Sequence, residues 1–394
     1  MKPTVMSTLI PPPAMLGMLG GGQLGRFFVI AAHEMGYQVT VLDPDQNSPA
    51  GKIADVHLCA NYDDDAALEH MAKTCAAVTT EFENVPATTL EKLALTTTVR
   101  PSGESVAIAQ NRVLEKTFIK EAGLPVAPFA VVNKAADLPV DTSPLYPGIL
   151  KVARFGYDGK GQARVKNQAE AQLAFTSFKQ EVCVLEQMLP LDLEVSVVLA
   201  RDAAGHIEAF PTAENSHLNG ILDISIAPAR CSEVLKANAR ELAKKLAEKL
   251  NYVGVLGVEF FVVNNQLLVN EIAPRPHNSG HYTIDACVTN QFEQQVRVLT
   301  GLPLGNASLH SNAVMVNILG DSWFSNSKSL RVKNDALEPA WNKAYSHANL
   351  KLHLYGKHEP RKGRKMGHFT VIGQDAKKVL NTALVARSEL HVGE

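Results

Sequence analysis

The stretch GVLGVEFFVVNNQLLVNEI, residues 254–272, decides how the rest of the chain is read. Two runs rich in valine, leucine and phenylalanine, 254–263 and 267–272, flank Asn264-Asn265-Gln266, a pattern that predicts a β-hairpin. Its arms carry Glu259 on one side and Asn270-Glu271 on the other. If the loop has three residues, Glu259 stands directly opposite Glu271 on the same face. Like charges so placed repel unless a cation sits between them. A divalent ion with hard oxygen ligands, Mg2+ bridging nucleotide phosphates, is the natural occupant. A two-residue loop instead puts the carboxylates on opposite faces, where they read as two solvated acids.

Upstream, 14–19 reads as a buried strand, a glycine cluster follows, and 23–35 carries helical spacing through Leu24, Phe27, Phe28 and Ala31. Strand 38–42 comes next. A third strand, 76–79, runs into Glu81-Phe82-Glu83-Asn84, and Pro86 starts a helix. This βαβ rhythm predicts a parallel sheet. Helix 111–122 stops at Gly123, and Pro125 and Pro128 lead into short strands and helices up to about residue 210, a stretch that is expected to begin a second domain. The stretch 233–250 places Leu235, Ala239, Leu242, Leu246 and Leu250 on one stripe and is read as a packing helix. Beyond about 311 the runs 314–319, 351–355 and 368–372 look like strands of a small closing subdomain.

Several motifs lie on this frame. Gly20-Gly21-Gly22-Gln23-Leu24-Gly25 matches G-x-G-x-x-G between a strand and a helix, with Asp43 ending the next strand, as a dinucleotide site requires. The physics specifies only a helix N-terminus open to an anion, without identifying it. Residues 151–162, KVARFGYDGKGQ, form a glycine-rich loop whose amides can approach phosphate oxygens, with Lys151 a fixed cation at a strand end. A plain turn does not require Lys, Arg, Tyr and Asp together. In 272–281, IAPRPHNSGH, prolines hold the backbone extended around Arg275, and two histidines, an amide and a hydroxyl follow, a set suited to a small anion. Glu81 and Glu83 sit just past a strand's carboxyl end, where open α/β sheets bind ligands. Lys357 and Arg361-Lys362-Gly363-Arg364-Lys365 make a dense basic patch that a phosphate monoester fits.

Composition narrows the class. The 394 residues are 46% hydrophobic, enough for two or three domains, and the net charge of -2 with dispersed lysines and arginines argues against nucleic acid. Cys59, Cys75, Cys183, Cys231 and Cys287 are odd in number and widely spaced, which fits a reducing cytosol. Residues 1–13 lack the features of a signal peptide, and no apolar run is long enough to span a bilayer.

Taken together, Gly21 to Arg26, the glycine-rich loop, Glu259-Phe260-Phe261, residues 270–281 and Gly363-Arg364-Lys365-Met366-Gly367-His368 resemble the 5-(carboxyamino)imidazole ribonucleotide synthases, a family of ATP-grasp enzymes. The resemblance runs in order over nearly the whole chain. It implies an α/β ATP-grasp fold with an N-terminal Rossmann-like pre-ATP-grasp domain at 14–110, an ATP-grasp domain at 111–310 with a lid at about 130–212, and a small C-terminal subdomain at 311–394. Residues 1–13 are then a flexible extension.

The same resemblance implies a site. ATP is expected at Arg112, Lys151, Gly156, Tyr157, Asp158, Gly159, Lys160, Gly161, Gln162, Glu186, Gln187, Met188, Leu189, Glu194, His217, Asn270 and Glu271, with Glu186 at the adenine and Glu194 at the ribose. Mg2+ is expected at Glu259 and Glu271. Aminoimidazole ribonucleotide falls to Gly22, Gln23, Leu24, Glu81, Tyr157, Arg275 and His281, with its phosphate on Lys357 and Arg364. Asp158, Lys160 and Arg275 take the catalytic roles, bicarbonate is the second substrate, and a cytosolic homodimer is implied. An NAD-dependent dehydrogenase, a noncatalytic nucleotide-binding module and a formate-dependent glycinamide ribonucleotide transformylase are the competing readings. The first leaves the paired glutamates and the basic patch without a task.

Overall fold

A computed structural model of the protein describes residues 9–154, 161–324 and 337–392. The chain starts with β1 (Met15–Leu19), α1 (Gln23–Glu34), β2 (Gln38–Leu42), β3 (Val56–Leu58), α2 (Asp65–Thr74), β4 (Ala77–Thr80), α3 (Ala87–Ala94), β5 (Thr98–Val99) and α4 (Gly103–Ala109). These strands form the expected parallel sheet, ordered β3-β2-β1-β4-β5. Leu16, Met18, Val39, Val41, Ala77 and Val78 are fully buried, as strands covered by helices on both faces must be. The segment before β1 differs from the expected loose extension. Ile10 donates its amide to Thr300 O at 2.9 Å and accepts the Tyr37 hydroxyl at 2.8 Å, so residues 9–13 are tied to the body.

Next come α5 (Arg112–Glu121), β6 (Phe129–Val132), β7 (Gly148–Val152), β8 (Gln162–Val165), α6 (Gln168–Ser177) and β9 (Cys183–Gln187). The four strands make a separate antiparallel sheet, β6-β9-β7-β8, backed by Phe175 and Ala171 of α6. The remaining elements are β10 (Leu193–Arg201), β11 (Ile207–Ala209), β12 (Ala213–Leu218), β13 (Ile221–Ala227), α7 (Glu233–Lys249), β14 (Gly254–Val263), β15 (Gln266–Ala273), α8 (Thr283–Ala286), α9 (Gln291–Thr300), β16 (Asn312–Leu319), α10 (Trp341–Tyr345), β17 (Leu350–Leu354), β18 (Lys365–Gly373) and α11 (Ala376–Glu389). Leu235, Ala239, Ala243 and Leu246 of α7 pack on β10 and β14, the role its stripe predicts. The strands β16, β17 and β18 are found close to their expected positions, but they continue the central sheet. It runs β15-β14-β10-β12-β13-β16-β18-β17, with β13 pairing directly to β16. No helix of the described residues is long and apolar enough to cross a membrane.

The decisive hairpin forms by a different route from the three-residue loop. Val263 pairs with Gln266, so the loop is Asn264-Asn265 alone. Both asparagines have positive φ, 49° and 61°, the conformation a two-residue type I′ turn needs. That register alone would put Glu259 and Glu271 on opposite faces. A bulge intervenes: Phe260 pairs with Val269 but Glu259 with Glu271, leaving Asn270 as the extra residue. The expected face is therefore right and the expected loop length wrong. Replacing Asn265 with Val, which disfavours positive φ, should cost about 1–2 kcal/mol in urea unfolding. Asn265→Gly should leave the midpoint unchanged or raise it.

Candidate active site

The bulge brings the two carboxylates together at the edge of the central sheet. Asn270 donates its side-chain amide to Glu259 Oε2 at 3.3 Å, and His277 Nε2 lies 3.4 Å from Glu259 Oε1. Burial and the neighbouring charge of Glu271 push the Glu259 carboxyl up to about 7, against the opposing field of His217. Helix α5 holds this arm of the hairpin residue by residue. Lys116 Nζ donates to Asn270 O at 3.1 Å, Arg112 Nη1 to Glu271 Oε2 at 3.3 Å, and Glu115 Oε1 accepts the Ile272 amide at 2.7 Å. The start of α5 is set by Asn111, whose side chain caps the Val113 amide, and by the Arg112 amide on Ala153 O at 2.9 Å, just past β7.

Glu186 on β9 lies between two lysines, 3.0 Å from Lys116 and 3.1 Å from Lys151, and is only 2% exposed. Burial alone would raise its pKa, but the two ammonium groups outweigh it and hold the carboxyl at about 2. Its carboxylate is thus committed inside the protein, which corrects the picture of a side chain free for adenine. Gln187 and Met188 donate backbone amides to Pro128 O at 3.0 Å and Pro147 O at 2.9 Å, and Leu189 is half-buried. Across the sheet, His217 Nδ1 is 2.9 Å from Glu194 Oε2. Burial opposes the charged imidazole of His217, yet the bond to Glu194 and the field of Glu259 raise its pKa above the usual value. Gly161, at φ 67°, leads into β8, where Gln162 is exposed. Gly156, Tyr157, Asp158, Gly159 and Lys160 lie outside the described residues.

The glycine fingerprint at the start of α1 has its own anions. Glu81 accepts the amides of Gly22 and, at 2.7 Å, Gly25; Asp43 accepts the amide of Gly21 at 2.7 Å and the Tyr62 hydroxyl at 2.7 Å. A Cβ on Gly22 would sit 2.6 Å from Glu81 Oε1, so the glycine is needed for the approach of a carboxylate from the same chain. This helix N-terminus is filled internally, which removes the dinucleotide reading. Leu24 is 7% exposed within the core, so its side chain is not a ligand contact. Gln23 points elsewhere and accepts Lys357 Nζ at 2.7 Å, joining opposite ends of the chain.

Arg275 is held by Glu83 through Nε at 2.5 Å and Nη2 at 3.2 Å, leaving part of its N–H fork for a ligand. Although burial opposes it, Arg275 depresses the Glu83 carboxyl to about 2. Lys357 also donates to Lys365 O at 2.9 Å and lies over the Tyr355 ring, while Arg364 donates to Glu359 O at 2.8 Å. His281 is a correction: it is fully buried, bonded to Gln291 at 3.1 Å and packed at a tilt 4.7 Å from the His368 ring, out of direct reach of a substrate. Asp285, His353 and His368 also cluster within 4.8 Å, but the two imidazoles stack at 20°, so their in-plane lone pairs do not converge on one ion. Glu115 and Lys116 were not among the expected ligands, whereas Glu83, singled out with Glu81 at a strand end, holds Arg275. The sequence signal for the first two is their charge on the inward face of α5, with Lys116 one turn after Arg112.

The Glu186 ion pairs predict a pH dependence. Because its folded pKa of about 2 lies below the ordinary 4.5, their contribution is complete above pH 4.5 and is lost as pH falls toward 2. Burial lowers the pKa of Lys151 despite Glu186, which makes the net gain smaller than the carboxylate alone suggests. Glu186→Gln should show a shallower acid dependence of urea unfolding across that window, by about one proton. An unchanged slope would refute the assignment.

The chain matches the ATP-grasp domain over residues 117–292, the ribonucleotide synthetase preATP-grasp domain over 14–110, and the phosphoribosylaminoimidazole carboxylase C-terminal domain over 313–382. It is 44% identical over 368 residues to the N5-carboxyaminoimidazole ribonucleotide synthase of Bacillus subtilis, covering 93% of each chain. The crystal structure of an N5-carboxyaminoimidazole ribonucleotide synthetase with ADP superposes at a TM-score of 0.88 with 39% identity, covering 99% of this chain and 100% of that one. The Aspergillus clavatus synthase, in complex with ADP and 5-aminoimidazole ribonucleotide, gives 0.86 and 31%, over 98% of this chain and 100% of the other. With the carboxylate hairpin and the basic loop in place and these likenesses covering nearly its whole length, the chain belongs to the N5-carboxyaminoimidazole ribonucleotide synthase family.

Proposed function

We infer that the chain is an ATP-dependent ligase of purine biosynthesis that carboxylates the amine of 5-aminoimidazole ribonucleotide and releases ADP and phosphate. The observation that carries this reading is the continuity of one segment. The paired carboxylates of β14 and β15 lead directly to Arg275, which Glu83 anchors to the first sheet. A nucleotide site and a site for an anionic second substrate therefore adjoin. The relative solved with ADP and aminoimidazole ribonucleotide supports the same pairing of ligands.

Glu259 and Glu271 are the residues that would hold Mg2+, since two carboxylates opposed across a hairpin suit a hard divalent ion. When bound, such an ion screens phosphate charge during phosphoryl transfer. Arg112, paired with Glu271, contributes positive charge at the same carboxylate, and Lys151 stands one carboxylate further out on Glu186. A bicarbonate oxygen attacks the γ-phosphorus as the bond to ADP breaks, giving carboxyphosphate. The exocyclic amine then attacks the carboxyl carbon, phosphate departs, and Asp158 receives the amine proton. Lys160 and the open N–H groups of Arg275 offset the charge on the transferring group. Glu194 and His217 belong to the ribose side, and Gln23, Lys357 and Arg364 to the ribonucleotide phosphate. A cytosolic homodimer is part of the same reading, the location in keeping with the five free cysteines.

An ADP-release assay decides the chemistry. Turnover is expected with bicarbonate and aminoimidazole ribonucleotide; turnover only with formate and glycinamide ribonucleotide overturns the reading. Lys357→Ala should raise the Michaelis constant for the ribonucleotide by about tenfold, the loss of one charge-assisted phosphate contact, and leave that for ATP nearly unchanged. An effect confined to ATP contradicts the phosphate assignment.

A further inference from the structure

We propose that Lys116 is a positioning residue that sets the metal carboxylates and the lid lysine in register with each other. The inference rests on the reading of Glu259 and Glu271 as metal ligands. A bulged residue drops out of the strand ladder, and here it is Asn270, whose side chain also reaches Glu259. Its carbonyl is taken by Lys116, a fully buried ammonium. The same Nζ lies 3.0 Å from Glu186 Oε2, and the other oxygen of Glu186 lies 3.1 Å from Lys151. One cation thus bridges the hairpin of the central sheet and a strand of the lid sheet, two layers that share no strand pairing among the described residues.

The geometry gives the ammonium two tasks at once, beside the hold of Arg112 on Glu271 and of Glu115 on the Ile272 amide. Without it, the bulge carbonyl loses its donor and Glu186 keeps a single partner in a dry site. An Asn270 free to slip would take Glu271 off the face it shares with Glu259, because a one-residue change of register reverses every side chain. Lys116 touches neither the nucleotide nor the reacting atoms in this scheme. Its effect runs through Asn270 and Glu186.

The test is equilibrium binding to the full-length protein, with Mn2+–ADP followed by the electron paramagnetic resonance of free Mn2+, and metal-free ADP followed by calorimetry. Lys116→Met should weaken Mn2+–ADP binding by at least about tenfold, as loss of a group that orients metal ligands does, and metal-free ADP by less than about threefold. Lys116→Arg, which can still donate to both acceptors, should recover most of the metal-dependent affinity. If Lys116→Met does not fold, Lys116→Met/Glu186→Gln, which removes the stranded carboxylate, carries the same comparison. A variant with unchanged Mn2+–ADP affinity and only a lower melting temperature overturns the proposal, as does an equal loss with and without metal. A parent protein that binds Mn2+–ADP no better than ADP refutes instead the reading of Glu259 and Glu271 as metal ligands.

Discussion

The repulsion between Glu259 and Glu271 is the constraint on which the site is built. Two carboxylates facing each other across a hairpin are unfavourable, and the protein raises the difficulty by burying one of them until its pKa climbs. What keeps them there is backbone geometry: a tight two-residue turn and a bulge that cancels the parity the turn imposes. Around this pair stand cations at increasing remove, Arg112 on Glu271, Lys116 on the bulge carbonyl, and Lys151 one carboxylate further out. The result is an anionic point inside a cationic shell, an arrangement suited to a metal nucleotide, whose charges alternate in the complementary order.

The first sheet solves the opposite problem. A glycine-rich helix N-terminus offers several unpaired amides, and in many folds a cofactor's phosphate satisfies them. Here Glu81 and Asp43 do so, and the amides of Gly21, Gly22 and Gly25 are paired within the chain. Burial nonetheless raises the Glu81 carboxyl above its usual range, even against two amide donors. The bond from Gln23 to Lys357 marks where the C-terminal basic loop reaches the first sheet.

Much of this was legible in the residues. The parallel sheet, the packing face of α7 and the hairpin with its acids follow from periodicity and turn chemistry. The bulge did not, because Asn270 is a single polar residue in a β-rich run and nothing in a two-residue period announces an extra one. Loop length was misjudged for the same reason, and the two errors cancelled at Glu271. G-x-G-x-x-G could not reveal that its anion is Glu81, since that contact joins residues far apart in the chain. Lys116 escaped notice because a charged residue on a helix is ordinarily solvated; only tertiary packing shows it dry. His281 erred in the other direction, its motif drawing attention to a ring that belongs to the core.

The unbroken path of the central sheet has a consequence for the protein's solubility. Because β13 pairs with β16, the last strands of the chain cover what would otherwise be an open row of amides and carbonyls along β13. An exposed edge of that kind invites other chains to add themselves in register. The C-terminal segment moves that edge outward to β17, which pairs on one side only, and carries the basic loop with it. A shortened chain ending before β16 would expose the β13 edge and lose the basic loop together.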